Sequence, residues 1–301
     1  MRQAAAVGHD FVDLEAGLER RRLRVETALR ELVPEDGSPV GKAMTYSLHA
    51  PAKRLRPVLG LLVTEMLHCD SEAVLPAACA VELVHTASLI LDDLPSMDDA
   101  ASRRGRPACH VAHGEAVAIL AAFGLQNRAF DLLARGWAGA PAANVRESIA
   151  RDLARAIGLD GMIAGQAADL QMTGREIDFG TLEFIHSRKT GALFIAAAVL
   201  GVESAGADTA VRTAIEAYAK NLGLAFQIVD DLLDVTGDAA VAGKDVRQDV
   251  KKTTFVSFAG VEGARQLAAE LAATSVETLV GFGPGAEPLR ELARYVVARR
   301  R

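Results

Sequence analysis

Leu89-Ile90-Leu91-Asp92-Asp93-Leu94-Pro95-Ser96-Met97-Asp98-Asp99 sets four carboxylates within eight positions at the end of a long apolar run. Like charges this close repel, so they need protons, an opposing cation or open water. Arg103 and Arg104 follow a few residues on. The stretch is either an acidic solvated loop or a site for hard metal ions and an anionic ligand. Aspartate oxygens favour Mg²⁺, with Mn²⁺ as a substitute. Mg²⁺ keeps part of its water and bridges carboxylates to substrate phosphates.

A second acidic cluster, Phe226-Gln227-Ile228-Val229-Asp230-Asp231-Leu232-Leu233-Asp234, again lies inside an apolar helical pattern. Asp230 and Asp234 are four apart and share one helix face, with Asp231 beside them. Three unpaired carboxylates there are costly as plain core residues. Two such clusters on separate helices read as two jaws of one metal site.

Helical patterning runs through nearly all of the 301 residues, half of them hydrophobic, with no Pro/Gly/Ser-rich linker. One all-α domain over 1–301 is the expectation. The net charge of −6 argues against a nucleic-acid partner. Cys69, Cys79 and Cys109 are too few and scattered for a disulfide framework, which fits a reducing cytoplasm. The N-terminus shows no signal-peptide core. Leu75–Leu91 contains Glu82 and His85 and runs into Asp92, so it reads as a buried helix and not a membrane span.

Apolar spacing predicts a helix from Phe11 to Leu32, ended near Pro34. Ser38-Pro39 is an N-cap with proline at the first helical position. Pro51-Ala52-Lys53-Arg54-Leu55-Arg56-Pro57 is a solvated turn or an anion site in which Lys53 and Arg56 converge on one phosphate. Helices are predicted over Ser71–Asp93, Glu115–Leu133 and Asn144–Leu170. Glycines inside the last imply close helix approach or a kink. Thr181 and Asp208 are candidate N-caps for two further helices. The polar segment with Lys244, Lys251 and Lys252 is either a neutralising surface or a lid over phosphates. Arg299-Arg300-Arg301 reads as a solvated helix end. Glu82-x-x-His85 and Glu183-x-x-His186 match the spacing of di-iron carboxylate bundles, but no further pair of glutamates is evident.

In order along the chain stand KRLRP (Lys53–Pro57), DDLPSMD (Asp92–Asp98), RRG (Arg103–Gly105), GQAADL (Gly165–Leu170), KTG (Lys189–Gly191), FQIVDDLLD (Phe226–Asp234) and GKD (Gly243–Asp245). With these elements the chain resembles the trans-isoprenyl diphosphate synthases, also called polyprenyl synthetases. The Ala80–Ser88 stretch is most similar to bacterial geranylgeranyl diphosphate synthases of the carotenoid type. The resemblance implies the all-α isoprenoid synthase fold, with helices surrounding a deep central cavity, usually as a homodimer. It implies elongation of dimethylallyl, geranyl or farnesyl diphosphate by isopentenyl diphosphate. Asp92, Asp93, Asp98, Asp230, Asp231 and Asp234 would hold Mg²⁺. Arg103, Lys189, Thr190, Gln227 and Lys244 would contact the allylic diphosphate, with Lys189 and Lys244 acting beside the aspartates in catalysis. Lys53, Arg56, His85 and Arg104 would hold isopentenyl diphosphate.

Departures from the family pattern are Pro51-Ala52 for Gly-Gly, Leu91 where many bacterial members have His, and Phe123 where Asp is common. Ala87 and Ser88, five and four residues before Asp92, are small and make an open cavity floor the expectation, hence the twenty-carbon product. Phe123 is the residue that would shorten it to farnesyl diphosphate. Asp230-Asp231-x-x-Asp234 is the synthase form, which separates the chain from class I terpene cyclases. Two complete acid motifs separate it from a non-catalytic regulatory subunit.

Overall fold

The computed structural model describes residues 12–236 and 253–299. Among these residues the regular structure is helical apart from one short hairpin of two two-residue strands. Helix α1 (Val12–Leu32) stops before Pro34. Helix α2 (Pro39–Leu48) begins on Ser38, whose hydroxyl accepts the Gly41 N–H at 2.9 Å and satisfies one orphan donor of the first turn.

Helix α3 (Leu55–Met66) leads to α4 (Ser71–Asp92), around which much of the bundle is arranged. Residues 77–81 of α4 are almost wholly buried, as a helix apolar on all sides requires. Both α4 and α6 (Glu115–Arg135) are long and apolar enough to cross a bilayer. The interior position of α4 explains its composition without one. Beyond α4 the chain turns through a hairpin, β1 (Ser102–Arg103) and β2 (Arg106–Pro107), then α5 (Cys109–His113).

The predicted run Asn144–Leu170 is two helices, α7 (Ala143–Ile157) and α8 (Met162–Met172). Gly158-Leu159-Asp160-Gly161 interrupts it, with Gly161 in a non-helical conformation. Helix α9 (Phe179–His186) is capped by Asp178 and not by Thr181: the Asp178 carboxylate accepts the Thr181 N–H at 2.7 Å. A π-helical turn, Ser187–Gly191, joins α9 to α10 (Ala192–Ala205). Asp208 does cap α11 (Thr209–Thr236), accepting the Val211 N–H at 2.9 Å. Helix α12 (Phe255–Thr278), broken at Gly260, and α13 (Glu287–Ala298) complete the bundle. Gly237, the Gly243–Asp245 element, Lys244, Lys251 and Lys252 lie outside the described residues.

Candidate active site

The ends of α4 and α11 open onto one cavity of about 1070 Å³. Asp92 and Asp98 line it from one side, Asp230, Asp231 and Asp234 from the other. The two clusters therefore meet as the sequence predicts. Lys189 Nζ lies 2.8 Å from Asp169 Oδ2 and 3.5 Å from Asp92 Oδ2. The π turn that carries Lys189 and Thr190 widens the helix by one residue where both side chains border the cavity.

Asp93 departs from the expected set of metal ligands. Its side chain is 2% exposed and faces away from the cavity into the Arg103 guanidinium, with Nε donating to Oδ1 at 2.9 Å and Nη2 also bound. Successive residues at a helix end point in different directions, so the pair Asp92-Asp93 is split between mouth and core. Arg103 borders the cavity but is held by Asp93. Asp231 borders the cavity with both oxygens engaged, by Gln227 Nε2 at 2.9 Å and the Phe255 N–H at 3.1 Å. Gln227 in turn accepts the Thr190 hydroxyl at 3.1 Å. Thr190, Gln227 and Asp231 thus form one hydrogen-bonded row.

Lys53, Arg56, His85 and Arg104 line the same cavity. Arg56 Nη1 lies 3.2 Å from His85 Nε2, and its guanidinium carbon sits 4.6 Å from the centre of the Phe194 ring. Its Nε is buried without a partner. Burial pulls the Arg56 pKa down to about 10, offset only in part by Glu82 and Asp230. Burial, then the charges of Arg56 and Arg104, push His85 well below the usual histidine range. His85 is therefore neutral and its Nε2 accepts from Arg56. A cluster of cations, with Arg56 Nε lacking a partner, is suited to an anion.

Leu91, Met162, Ile163, Ile185 and Leu193 supply apolar wall, and Ser88 faces the same space. The other two floor candidates are elsewhere. Ala87 is 3% exposed and packed in the hydrophobic core. Phe123 is 63% exposed on α6 and does not border the cavity. On α4, Ala87 and Ser88 differ by about 100° of helix rotation, which turns one inward and the other toward the cavity.

Arg299 is the cavity-lining residue whose position sequence reasoning missed. Instead of ending a solvated helix, its side chain folds into the cavity and binds Asp230. Apolar positions around it gave no sign of that return. Asp169, quoted within GQAADL, is the partner of Lys189.

Among the described residues no three His, Cys, Asp or Glu side chains converge to hold a metal unaided. The facing donors are nevertheless hard carboxylate oxygens, which fit Mg²⁺ ions shared between the protein and a bound diphosphate.

A helical bundle whose apolar cavity is rimmed by facing aspartates and a cation pocket has the isoprenoid synthase fold, and its class is that of prenyltransferases. Residues 38–275 match the polyprenyl synthetase family model, and the chain belongs to that family. It is 40% identical to the chloroplastic geranylgeranyl pyrophosphate synthase of Capsicum annuum, over 93% of this chain and 77% of that one. It is 41% identical to a dimethylallyltranstransferase of Fischerella ambigua, over 94% and 82%. The apo structure of an FPP/GFPP synthase from Zymomonas mobilis superposes with a TM-score of 0.85 at 34% identity, covering 96% of this chain and all of that one.

Proposed function

We propose that the protein condenses isopentenyl diphosphate with allylic diphosphates to make geranylgeranyl diphosphate. The observation that carries this reading is the pair of aspartate clusters facing each other across one apolar cavity, with a separate cation pocket beside them. Asp92, Asp98, Asp230 and Asp234 would hold Mg²⁺, and Asp231, tied to Gln227 and to the Phe255 N–H, would orient that jaw. Mg²⁺, when bound, supplies positive charge that stabilises the departing diphosphate. Lys189, with Thr190, Gln227 and Arg103, would orient the allylic diphosphate, and Lys244 would join them.

Breaking the allylic carbon–oxygen bond leaves a carbocation and a free diphosphate. The apolar walls keep water from quenching the cation. Lys53, Arg56, His85 and Arg104 would hold isopentenyl diphosphate so that its double bond attacks that carbon. The departing diphosphate is a suitable base for the final proton. Fifteen-carbon farnesyl diphosphate is the alternative product, in keeping with solved relatives such as a putative farnesyl-diphosphate synthase from Marinomonas, 32% identical with a TM-score of 0.81.

A homodimer fits the exposed apolar stripe of Ile119, Leu120 and Phe123 on α6. The three free cysteines suit a reducing cytoplasm. The deciding experiment incubates labelled isopentenyl diphosphate with each allylic diphosphate, with and without Mg²⁺, and analyses the products. A twenty-carbon product formed only with the metal is expected. No metal-dependent incorporation with any primer would overturn the reading.

A further inference from the structure

Arg54 carries its charge into the protein with no solvent contact at all: its side chain is 0% exposed. A buried cation is costly unless its donors are satisfied by well-placed acceptors. Its Nε donates to Glu26 Oε1 of α1 at 3.1 Å, and Nη1 to Glu82 Oε1 of α4 at 2.7 Å. Its Nη2 donates to the carbonyls of Leu48, the last residue of α2, and Ala50 just beyond, the latter at 3.1 Å. One planar fork thus ties together three elements. Burial works against the charge, and Glu82 and Glu26 overcome it, so the Arg54 pKa stays above its ordinary value.

The Arg54 backbone is left-handed, with φ 50° and ψ 35°, a conformation that a side-chain-bearing residue keeps only when its surroundings impose it. Arg54, Lys53 and Arg56 all belong to the cavity wall, but the turn buries the Arg54 guanidinium completely within that wall, whereas Lys53 and Arg56 keep exposed surface. Glu82 sits on α4 three residues before His85, and its carboxylate lies 4.0 Å from Arg104 Nη2. The fork is therefore anchored directly behind all four residues of the cation pocket.

We propose that Arg54, clamped by Glu26 and Glu82, is a positioning residue for the isopentenyl diphosphate pocket, fixing the turn that presents Lys53 and Arg56 without touching substrate. This rests on the reading of that pocket given above. Glu26 lies on α1, outside the stretch 38–275 that matches the family model. A lysine would keep the charge but lose the planar fork.

The test is Arg54→Lys, with steady-state kinetics in each substrate separately. Losing two or more charge-assisted bonds behind the turn should raise KM for isopentenyl diphosphate about tenfold or more. Turnover at saturating isopentenyl diphosphate and KM for the allylic diphosphate should stay within about twofold. A folded variant with unchanged KM for isopentenyl diphosphate, or with equal rises for both substrates, overturns the proposal. If Arg54→Lys fails to fold, Glu26→Gln decides: it weakens one arm of the clamp and should raise the same KM about two- to fivefold. No change there also overturns it. Arg56→Ala separates the two readings. If it leaves KM for isopentenyl diphosphate unchanged, the pocket itself is misassigned. If it raises that KM and Arg54→Lys does not, only the positioning role fails.

Discussion

Arg299 Nη2 donates to Asp230 Oδ1 at 2.6 Å. The same nitrogen reaches the Phe226 carbonyl at 2.9 Å, and the guanidinium lies 4.0 Å from the centre of the Phe226 ring. The side chain is 4% exposed, yet its Nε and Nη1 are without partners. A cation thus rests on a carboxylate proposed to bind metal, with two donors still to satisfy. A bound diphosphate would offer them acceptors if a metal drew Asp230 away from the guanidinium.

Arg299→Ala should therefore lower kcat/KM about 10- to 100-fold, the usual worth of one or two charge-assisted hydrogen bonds. Arg299→Lys should recover part of the loss. Kinetics beside a thermal melt check this. An unchanged kcat/KM in a folded variant would leave Arg299 a purely structural residue.

Asp92 and Asp93 are adjacent but should fail in different ways. Asp92→Asn removes a ligand at the cavity mouth and should reduce turnover by about 10³-fold or more with little change in melting temperature. Asp93→Asn strips the charge from the buried partner of Arg103, costing about 3 kcal/mol of stability, discounted for the partial exposure of Arg103. Chemical denaturation of both variants, with kinetics, tests the split. Equal metal dependence of the two defects would put Asp93 back among the ligands.

What the sequence made legible was whatever repeats along one helix. The apolar run of α4 and the caps at Ser38 and Asp208 depend on residues three or four apart and are found as read, and both acid clusters contribute side chains to one cavity. What it hid depends on which way a side chain points or on partners far along the chain. Asp93 and Ala87 lie beside residues that do face the cavity, yet each is turned inward. Arg54 reaches Glu26 and Glu82, each 28 positions away, and Arg299 reaches Asp230 across 69. Resemblance to the family aims Phe123 at the cavity, but the packing of α6 turns it to the surface.

Gly165 marks the close approach of α8 to the π turn. A Cβ there would stand 2.3 Å from the Lys189 backbone nitrogen and 2.8 Å from its Cα. Backbone cannot swing aside, so Gly165→Ala should push α8 away and disturb the Lys189–Asp169 pair. Overpacking of this kind costs about 1–3 kcal/mol. The melt should shift down and turnover should fall by more than the unfolded fraction accounts for. An unshifted melt would mean that the two segments separate freely.

His85 should make stability depend on pH. Its folded pKa is held well below 6.5 by burial and the neighbouring arginines. Between the two pKa values the unfolded chain binds the proton and the folded chain does not, so stability rises with pH up to about 6.5. Acidification below about 6.5 should cost up to about 1.4 kcal/mol per pH unit from this group, until the folded pKa is reached. His85→Gln should flatten that part of the curve in denaturant titrations between about pH 5 and 7. A wild type and variant with parallel curves would show that His85 does not carry the dependence.

Product length should be governed from Ser88. It lies four residues before Asp92, one helical turn of about 5.4 Å below the mouth. Its hydroxyl donates to the His85 carbonyl at 2.8 Å, and its side chain borders the cavity. A chain growing from the metal site passes this position early, and one turn of helix spans roughly one isoprene unit. Ser88→Phe should therefore shift product from twenty carbons toward fifteen or fewer while the first condensation persists. Ala87→Phe should behave differently: the ring enters a filled core, at about 1–3 kcal/mol of stability, with no controlled shortening. Phe123→Ala should leave product length alone and, if α6 is the dimer face, weaken self-association measured by sedimentation. Ser88→Phe that still yields the full chain would move the floor to other apolar lining residues, such as Met162 and Leu193. A wild type that already stops at fifteen carbons would instead move it closer to the mouth, where Leu91 stands.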